Sequence, residues 1–178
     1  MGNVGKVTEK AKNLAADYVD KIRKMQAGPA PDLNPKNILK ELGENNIIKS
    51  DDFKNGKISI CSDNFNTGIQ GQDKAVAIIQ RGLIALGLMK VDMTKKYWWR
   101  KPLVFDDLEG GISWGSYGPR TEEAVRKLQD LGGIGPEKGH KGSLFGRETE
   151  KILETALAEK AKNKNVDWKL VKQKAAIK

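Results

Sequence analysis

The stretch GSYGPRTE (residues 115–122) recurs as GSLFGRETE (residues 142–150), which carries one extra residue. Each copy has Gly-Ser, an aromatic residue, a second glycine, two intervening residues and Thr-Glu before an apolar helical run. Glycine permits positive φ in a tight turn, and the aromatic side chain can plug that turn into the core. The acidic residues fall at the positive end of the following helix dipole. The repeat therefore predicts two equivalent loop-to-helix junctions.

Apolar residues spaced by three and four predict four helices around these junctions. Asn34-Pro35 predicts the cap and first position of a short helix that stops at Gly43, and Gly87 predicts a left-handed stop for the helix from Asp73. A third helix begins at Pro119 and ends at 132–133, and the last long helix follows the second repeat copy. The predicted buried faces are Ile38, Leu39, Leu42, Val76, Ile79, Leu83, Leu86, Ala124, Val125, Leu128, Ile152, Leu153, Ala156 and Leu157.

The outer and connecting segments complete a mainly α fold. Residues 4–26 have the spacing of an amphipathic helix, and Ala-Gly-Pro-Ala-Pro (27–31) is typical of a linker. Asn55-Gly56 and the alternation at 58–60 predict a small β-hairpin, or two irregular strands, between residues 47 and 60. Residues 89–113 predict an inserted loop or short hairpin.

We therefore divide the chain into residues 1–33 (helix and Pro-rich linker), 34–162 (the main domain) and 163–178 (a basic tail or helix). If the last segment is a helix, its predicted anchors are Trp168, Leu170 and Val171.

The basic charge is concentrated at the two ends. The chain has 178 residues, with 32 Lys and Arg against 23 Asp and Glu, and a net charge of +9 that invites an anionic partner. Residues 1–26 have six basic and three acidic side chains, residues 147–178 have nine and five, and the middle has seventeen and fifteen. Most of the excess positive charge lies in the predicted helices at the two ends of the chain. This pattern disfavours nucleic acid as the partner, since a nucleic-acid binder concentrates Lys and Arg on the face that meets the phosphates.

Cys61 and His140 are the single cysteine and histidine. No intramolecular disulfide and no thiolate zinc cluster can form, and a Cys–His dyad is weakly supported because Cys61 lies in an apolar alternation. We predict no cofactor and no metal site. The N-terminus lacks the apolar segment of a secretory signal, and the longest apolar stretch (75–89) is shorter than the ~20 residues that a membrane span needs. We expect a protein made in the cytoplasm without a signal peptide.

The repeat and its flanking helices resemble the peptidoglycan-binding domain family, a small three-helix module found beside cell-wall hydrolases. The resemblance covers roughly residues 70–157. The matching residues are Val76, Ile79, Gln80, Leu83, Leu86, Gly87, Gly115, Tyr117, Gly118, Pro119, Thr121, Ala124, Val125, Leu128, Gln129, Gly142, Phe145, Gly146, Thr149 and Leu153. Trp114 and Lys141 stand where the family usually has Asp, and residues 89–113 are longer than its connection. The resemblance implies a peptidoglycan-binding-like three-helix core with N- and C-terminal helical extensions.

The resemblance also implies a groove that holds glycan or stem peptide. The implied ligand-binding residues are Gln80, Trp114, Tyr117 and Arg120, with Trp98 and Trp99 as a wall. An aromatic face can stack on a sugar, and a cation can pair with a stem carboxylate. The alternative is that Trp114 and Tyr117 plug the loops and that Trp98 and Trp99 are core or interface anchors.

We therefore predict a non-catalytic peptidoglycan-binding module of the bacterial cell wall. The alternative is a structural subunit of a larger assembly, such as a phage tail or baseplate, with protein partners on its terminal helices. The protein would then act at the wall or within a virion. A cell-wall hydrolase is the weakest reading, because no pair stands out among Glu41, Glu44, Asp51, Asp52, Asp106, Asp107 and Glu109.

Overall fold

The computed structural model describes residues 31–61, 71–90, 115–135 and 144–176, and this part of the chain is mainly helical. Its helices are α1 (Pro35–Glu44), α2 (Asp51–Lys54), α3 (Gln72–Ala85), α4 (Pro119–Gly132), α5 (Arg147–Lys162) and α6 (Trp168–Ala175). The predicted N-terminal helix over residues 4–26 and most of the predicted insertion (91–113) lie outside the described residues.

Helix α1 begins as its sequence predicts. Asn34 caps it by accepting a hydrogen bond from the Lys36 N–H at 3.0 Å, and Pro35 occupies the first turn. The helix runs through Gly43, so the predicted stop there is wrong. Asn45 ends it instead, because its side chain accepts hydrogen bonds from the next backbone N–H groups, beginning with Ile47 at 3.0 Å.

Residues 47–60 do not form the predicted hairpin. Ser50 caps the single turn α2, and Gly56 follows that turn with φ of 72°. The Asn-Gly signal therefore marks the end of a helical turn, which needs the same left-handed glycine as a hairpin. Ile60 pairs instead with the distant Phe145, and the two residues exchange backbone hydrogen bonds of 2.9 Å.

The three helices around the repeat are confirmed. Gly87 and Gly133 take positive φ of 73° and 76° at the ends of α3 and α4. The predicted apolar faces of α3, α4 and α5 are buried, except that Leu86 is partly exposed. Helix α5 packs against α1, α3, α4 and α6, so the core surrounds it.

The C-terminal segment contributes to the same core. Asp167 caps α6 by accepting hydrogen bonds from the two N–H groups that follow, and Val171 is fully buried against the rest of the protein. Trp168 and Leu170, the other two predicted anchors, are partly buried. Within the described ranges, no helix combines the length and apolar character that a membrane crossing requires.

The contact between the end of α4 and α5 predicts a strong effect of one added methyl group. A Cβ atom on Gly132 would lie 2.8 Å from both Cγ1 and Cγ2 of Ile152, whereas one on Gly43 of α1 would meet nothing within 4 Å. We expect Gly132→Ala to lower the free energy of unfolding by about 1–3 kcal/mol. Gly43→Ala should leave it unchanged or raise it by up to about 1 kcal/mol. Urea denaturation measures both, and equal midpoints for the two variants would contradict this packing.

Candidate functional site

The Gln80 side chain joins α3 to the loop that precedes α4. Its Nε2 donates to the Ser116 carbonyl oxygen at 2.9 Å and to Thr121 Oγ1 at 3.1 Å. Its Oε1 accepts from the Gly115 N–H at 3.0 Å. Gln80 is 1% exposed, so this amide is buried with both ends engaged. Gln80 therefore fixes the first repeat junction, and its amide is not exposed at the protein surface.

Gln129 repeats the Nε2 bonds of this arrangement one helix later, whereas its buried Oε1 has no hydrogen-bond partner among the described residues. Its Nε2 donates to the Leu144 carbonyl oxygen at 2.7 Å and to Thr149 Oγ1 at 2.8 Å. Thr121 and Thr149 both occupy the third position of their helices, which begin after Gly118 and Gly146. The sequence repeat is thus a structural repeat, in which a buried glutamine on one helix holds the loop and the threonine of the next.

The aromatic residues of the two junctions are buried. Tyr117 is 4% exposed and Phe145 is fully covered. Phe145 stacks on Phe53 of α2, with ring centroids 6.4 Å apart. Tyr117 therefore belongs to the core, as the loop-plug alternative predicts, and it does not offer an open face to a sugar.

Arg120 is the predicted site residue that the structure places at the surface, where it is partly exposed at the second position of α4. Trp114, Trp98 and Trp99 lie outside the described residues, so their predicted roles stay predictions. The structure does not bring Gln80, Tyr117 and Arg120 together as one exposed surface.

Arg120 lines a cleft of about 370 Å³ between the end of α3 and the first half of α4. Leu88, Met89 and Ala124 form its apolar part. Its charged lining is Lys90, Arg120, Glu123 and Lys127. Glu123 and Lys127 pair at 2.6 Å, and hydrogen bonding to Lys127 followed by its positive charge lowers the pKa of Glu123.

Three of these charged residues, Lys90, Glu123 and Lys127, are not among the predicted site residues. The spacing along α4 indicates two of them. Arg120, Glu123 and Lys127 are separated by three and four positions, which puts them on one side of a helix. Lys90 lines the same cleft because the chain turns after α3 at Gly87, which has a positive φ. The sequence spacing on α4 gives no sign of this residue.

A second, shallower groove of about 380 Å³ lies between α1 and α3. The Arg81 guanidinium donates to both carboxylate oxygens of Glu41 there. Glu41, one of the acidic residues considered above for catalysis, is therefore held in a bidentate ion pair. Asp51 and Asp52 are exposed, and Asp106, Asp107 and Glu109 lie outside the described residues.

Glu150 and Glu154 of α5 form a carboxyl pair that the sequence analysis did not identify. Burial, the negative charge of Glu150 and a hydrogen bond that protonated Glu154 donates to Glu150 raise the pKa of Glu154 to about 7. Glycoside cleavage needs two carboxyl groups roughly 5–9 Å apart across a cleft, whereas these two lie one turn apart on a single helix. Neither residue lines either groove.

The described part of the chain contains no group of three or more His, Cys, Asp or Glu residues that could hold a metal ion. Cys61 is buried, and His140 lies outside the described residues.

No protein-family model, curated protein or solved structure matches the chain. The likeness to peptidoglycan-binding domains therefore rests on the residues of the repeat.

The buried amide of Gln80 predicts a large cost for its replacement. Gln80→Met keeps the approximate size of the side chain but leaves the Gly115 N–H and the Thr121 hydroxyl without this partner. We expect the free energy of unfolding to fall by about 2–4 kcal/mol. Gln173→Met, at an exposed position of α6, should change it by less than about 0.5 kcal/mol. Chemical denaturation of both variants tests this, and a near-neutral Gln80→Met would contradict the proposed role.

Proposed function

We propose that this protein is a non-catalytic peptidoglycan-binding module and that the cleft between α3 and α4 holds its ligand. The observation that carries the proposal is the position of Arg120 in that cleft, directly after the first repeat junction. The repeated junctions support a relationship to peptidoglycan-binding domains, because in both copies a buried glutamine donates to a loop carbonyl oxygen and to the threonine of the next helix.

The lining of the cleft suits a stem peptide that ends in a carboxylate. The Arg120 guanidinium can form two parallel hydrogen bonds with such a group, and Lys90 adds a second positive charge. Leu88, Met89 and Ala124 provide apolar surface for small side chains next to it. In a short peptide with both a methyl group and a carboxylate, the methyl group would contact the apolar part of the lining and the carboxylate would contact the positively charged part.

Co-sedimentation with purified insoluble peptidoglycan tests the proposal. Arg120→Ala removes the cleft guanidinium, and we expect it to lower the affinity by at least about tenfold, the value of one charge-assisted hydrogen bond. Arg126→Ala removes the same charge from the same helix but at an exposed position outside the cleft lining, and it should bind like the wild type.

Failure of the wild type to sediment, or equal losses in the two folded variants, would contradict binding through this cleft. Soluble wall fragments released during the same assay would instead favour the hydrolase.

The alternative function, a structural subunit of a larger assembly, is favoured by a different observation. Four apolar residues at the end of α3 are only partly buried, namely Ile84, Ala85, Leu86 and Leu88. Apolar surface of this kind is typical of protein contacts. A predominantly oligomeric mass by light scattering that becomes monomeric in Ile84→Lys would support assembly, whereas a monomeric wild type would count against self-assembly through this surface.

A further inference from the structure

Three charged side chains join α2 to α5. Lys54 Nζ lies 2.7 Å from Glu150 Oε1, and the Glu150 side chain is only 4% exposed. Beside this ion pair, Ile60 and Phe145 exchange two backbone hydrogen bonds of 2.9 Å. The segment from α2 to Ile60 is therefore attached to the start of α5 by a half-exposed ion pair, by a hydrogen bond of 3.4 Å from the Arg147 guanidinium to the Lys54 carbonyl oxygen, and by one short bridge.

Glu154 completes the cluster. It lies one turn after Glu150 on α5, at the spacing that puts two side chains of a helix next to each other, and it is partly buried. Two carboxyl groups can hydrogen-bond to each other only when one of them carries a proton. Burial is the largest cause that raises the pKa of Glu154 to about 7, and the charge of Glu150 adds to it, while Lys54 acts in the opposite direction.

The charged side chains of the other helices that pack on α5 are engaged elsewhere or reach solvent. The pairs are Glu41–Arg81, Lys40–Glu44, Glu122–Arg126, Glu123–Lys127 and Glu159–Lys174. The remaining ones on α1, α2, α3, α4 and α6 are exposed or partly exposed, namely Lys36, Asp51, Asp52, Asp73, Lys74, Arg120, Asp130, Lys169 and Lys172. The ionisation of Glu154 is thus governed mainly by its burial, Glu150 and Lys54.

We propose that Lys54, Glu150 and Glu154 form a pH-sensitive latch, which holds residues 51–61 on α5 while the two carboxyl groups share a proton and loosens when both are ionised. With both carboxylates charged, the half-exposed Lys54 ammonium group faces two negative charges, of which that of Glu150 is buried, and an incompletely compensated buried charge is costly. Opening the segment returns these groups to water.

The direction of the pH dependence follows from the raised pKa of Glu154. The closed form binds the proton more tightly than the open form, so closure is favoured fully below about pH 4.5, the ordinary value, and is lost as the pH rises through about 7. Opening separates Phe53 from Phe145 and exposes the apolar surface of the second junction. The latch is distinct from the cleft of the proposed function, which α3 and α4 form.

Native-state hydrogen exchange on the full chain at pH 5 and pH 8, corrected for the intrinsic exchange rate, tests the latch. We expect the opening constants of the Ile60 and Phe145 amides to rise at least several-fold between the two values. The largest rise in the opening constants is on the order of fifty-fold. It is limited because Glu150 still repels Glu154 after opening, so the pKa of Glu154 in the open form stays above its ordinary value. The Leu83 amide in the middle of α3 should show no such rise. Equal opening constants at the two pH values in the wild type would overturn the proposal.

Two variants separate the latch from a general loss of stability at high pH. Glu154→Gln retains a hydrogen-bond donor for Glu150 but cannot ionise, so Ile60 and Phe145 should stay equally protected at pH 5 and pH 8. Glu44→Gln removes the same charge from a side chain that is 65% exposed, and it should keep the wild-type pH dependence. Survival of the full pH dependence in Glu154→Gln would overturn the latch. Should that variant not fold, a carboxyl NMR titration of the wild type decides, because the proposal requires Glu154 to titrate near 7.

Discussion

The fold depends on one buried side-chain amide, that of Gln80, whose Nε2 bonds to a loop carbonyl and a threonine recur at Gln129. A buried amide is stabilising only when its donors and acceptor find partners, so Gln80 admits one arrangement of the loop that crosses it. The glycine at 115 belongs to the same constraint, because a Cβ atom there would lie 2.8 Å from the Asp73 carbonyl oxygen and φ is positive. The loop therefore passes directly over the first turn of α3, and the direction of α4 follows from it.

The two junctions share the bonds from the glutamine Nε2 but differ at the glutamine Oε1 and in what surrounds them. The second is covered by the segment around α2, through the stacking of Phe53 on Phe145 and the bridge at Ile60. The first continues into Arg120 and the cleft beside α3. One copy of the repeat has thus become part of a closed core, while the other stands next to open, charged surface. This asymmetry is the physical reason to look for binding at the first copy.

The sequence predicted those parts of the fold that depend on local spacing. The apolar faces of α3, α4 and α5 and the left-handed glycines at 87 and 133 need only neighbouring residues, and they are confirmed. The hairpin prediction was wrong because Asn-Gly is equally suitable after a helical turn. In addition, Ile60 pairs with Phe145, which is distant in sequence. Of the predicted site residues, Arg120 lines the cleft whereas Gln80 is buried, since helical spacing alone does not distinguish a glutamine that reaches the surface from one that bonds to a covered loop. Glu150 and Glu154 looked like ordinary surface acids because their spacing does not reveal which face of α5 is covered.

The net charge of +9 says less about the interactions of this protein than the arrangement of a few charged side chains does. Charges in water are screened over about 8 Å at physiological salt, so an excess spread along exposed helices attracts anions only weakly and without orientation. The cleft and the cluster on α5 differ because each brings charges together beside apolar surface. The cleft has three cations to one carboxylate, and the cluster has two carboxyl groups to one ammonium group. In the proposed function, an anionic ligand would complement the first imbalance, although the Lys127–Glu123 pair of the cleft is more than half exposed. In the proposed latch, the second imbalance matters because Glu150 is only 4% exposed, and a second negative charge beside a buried carboxylate is costly.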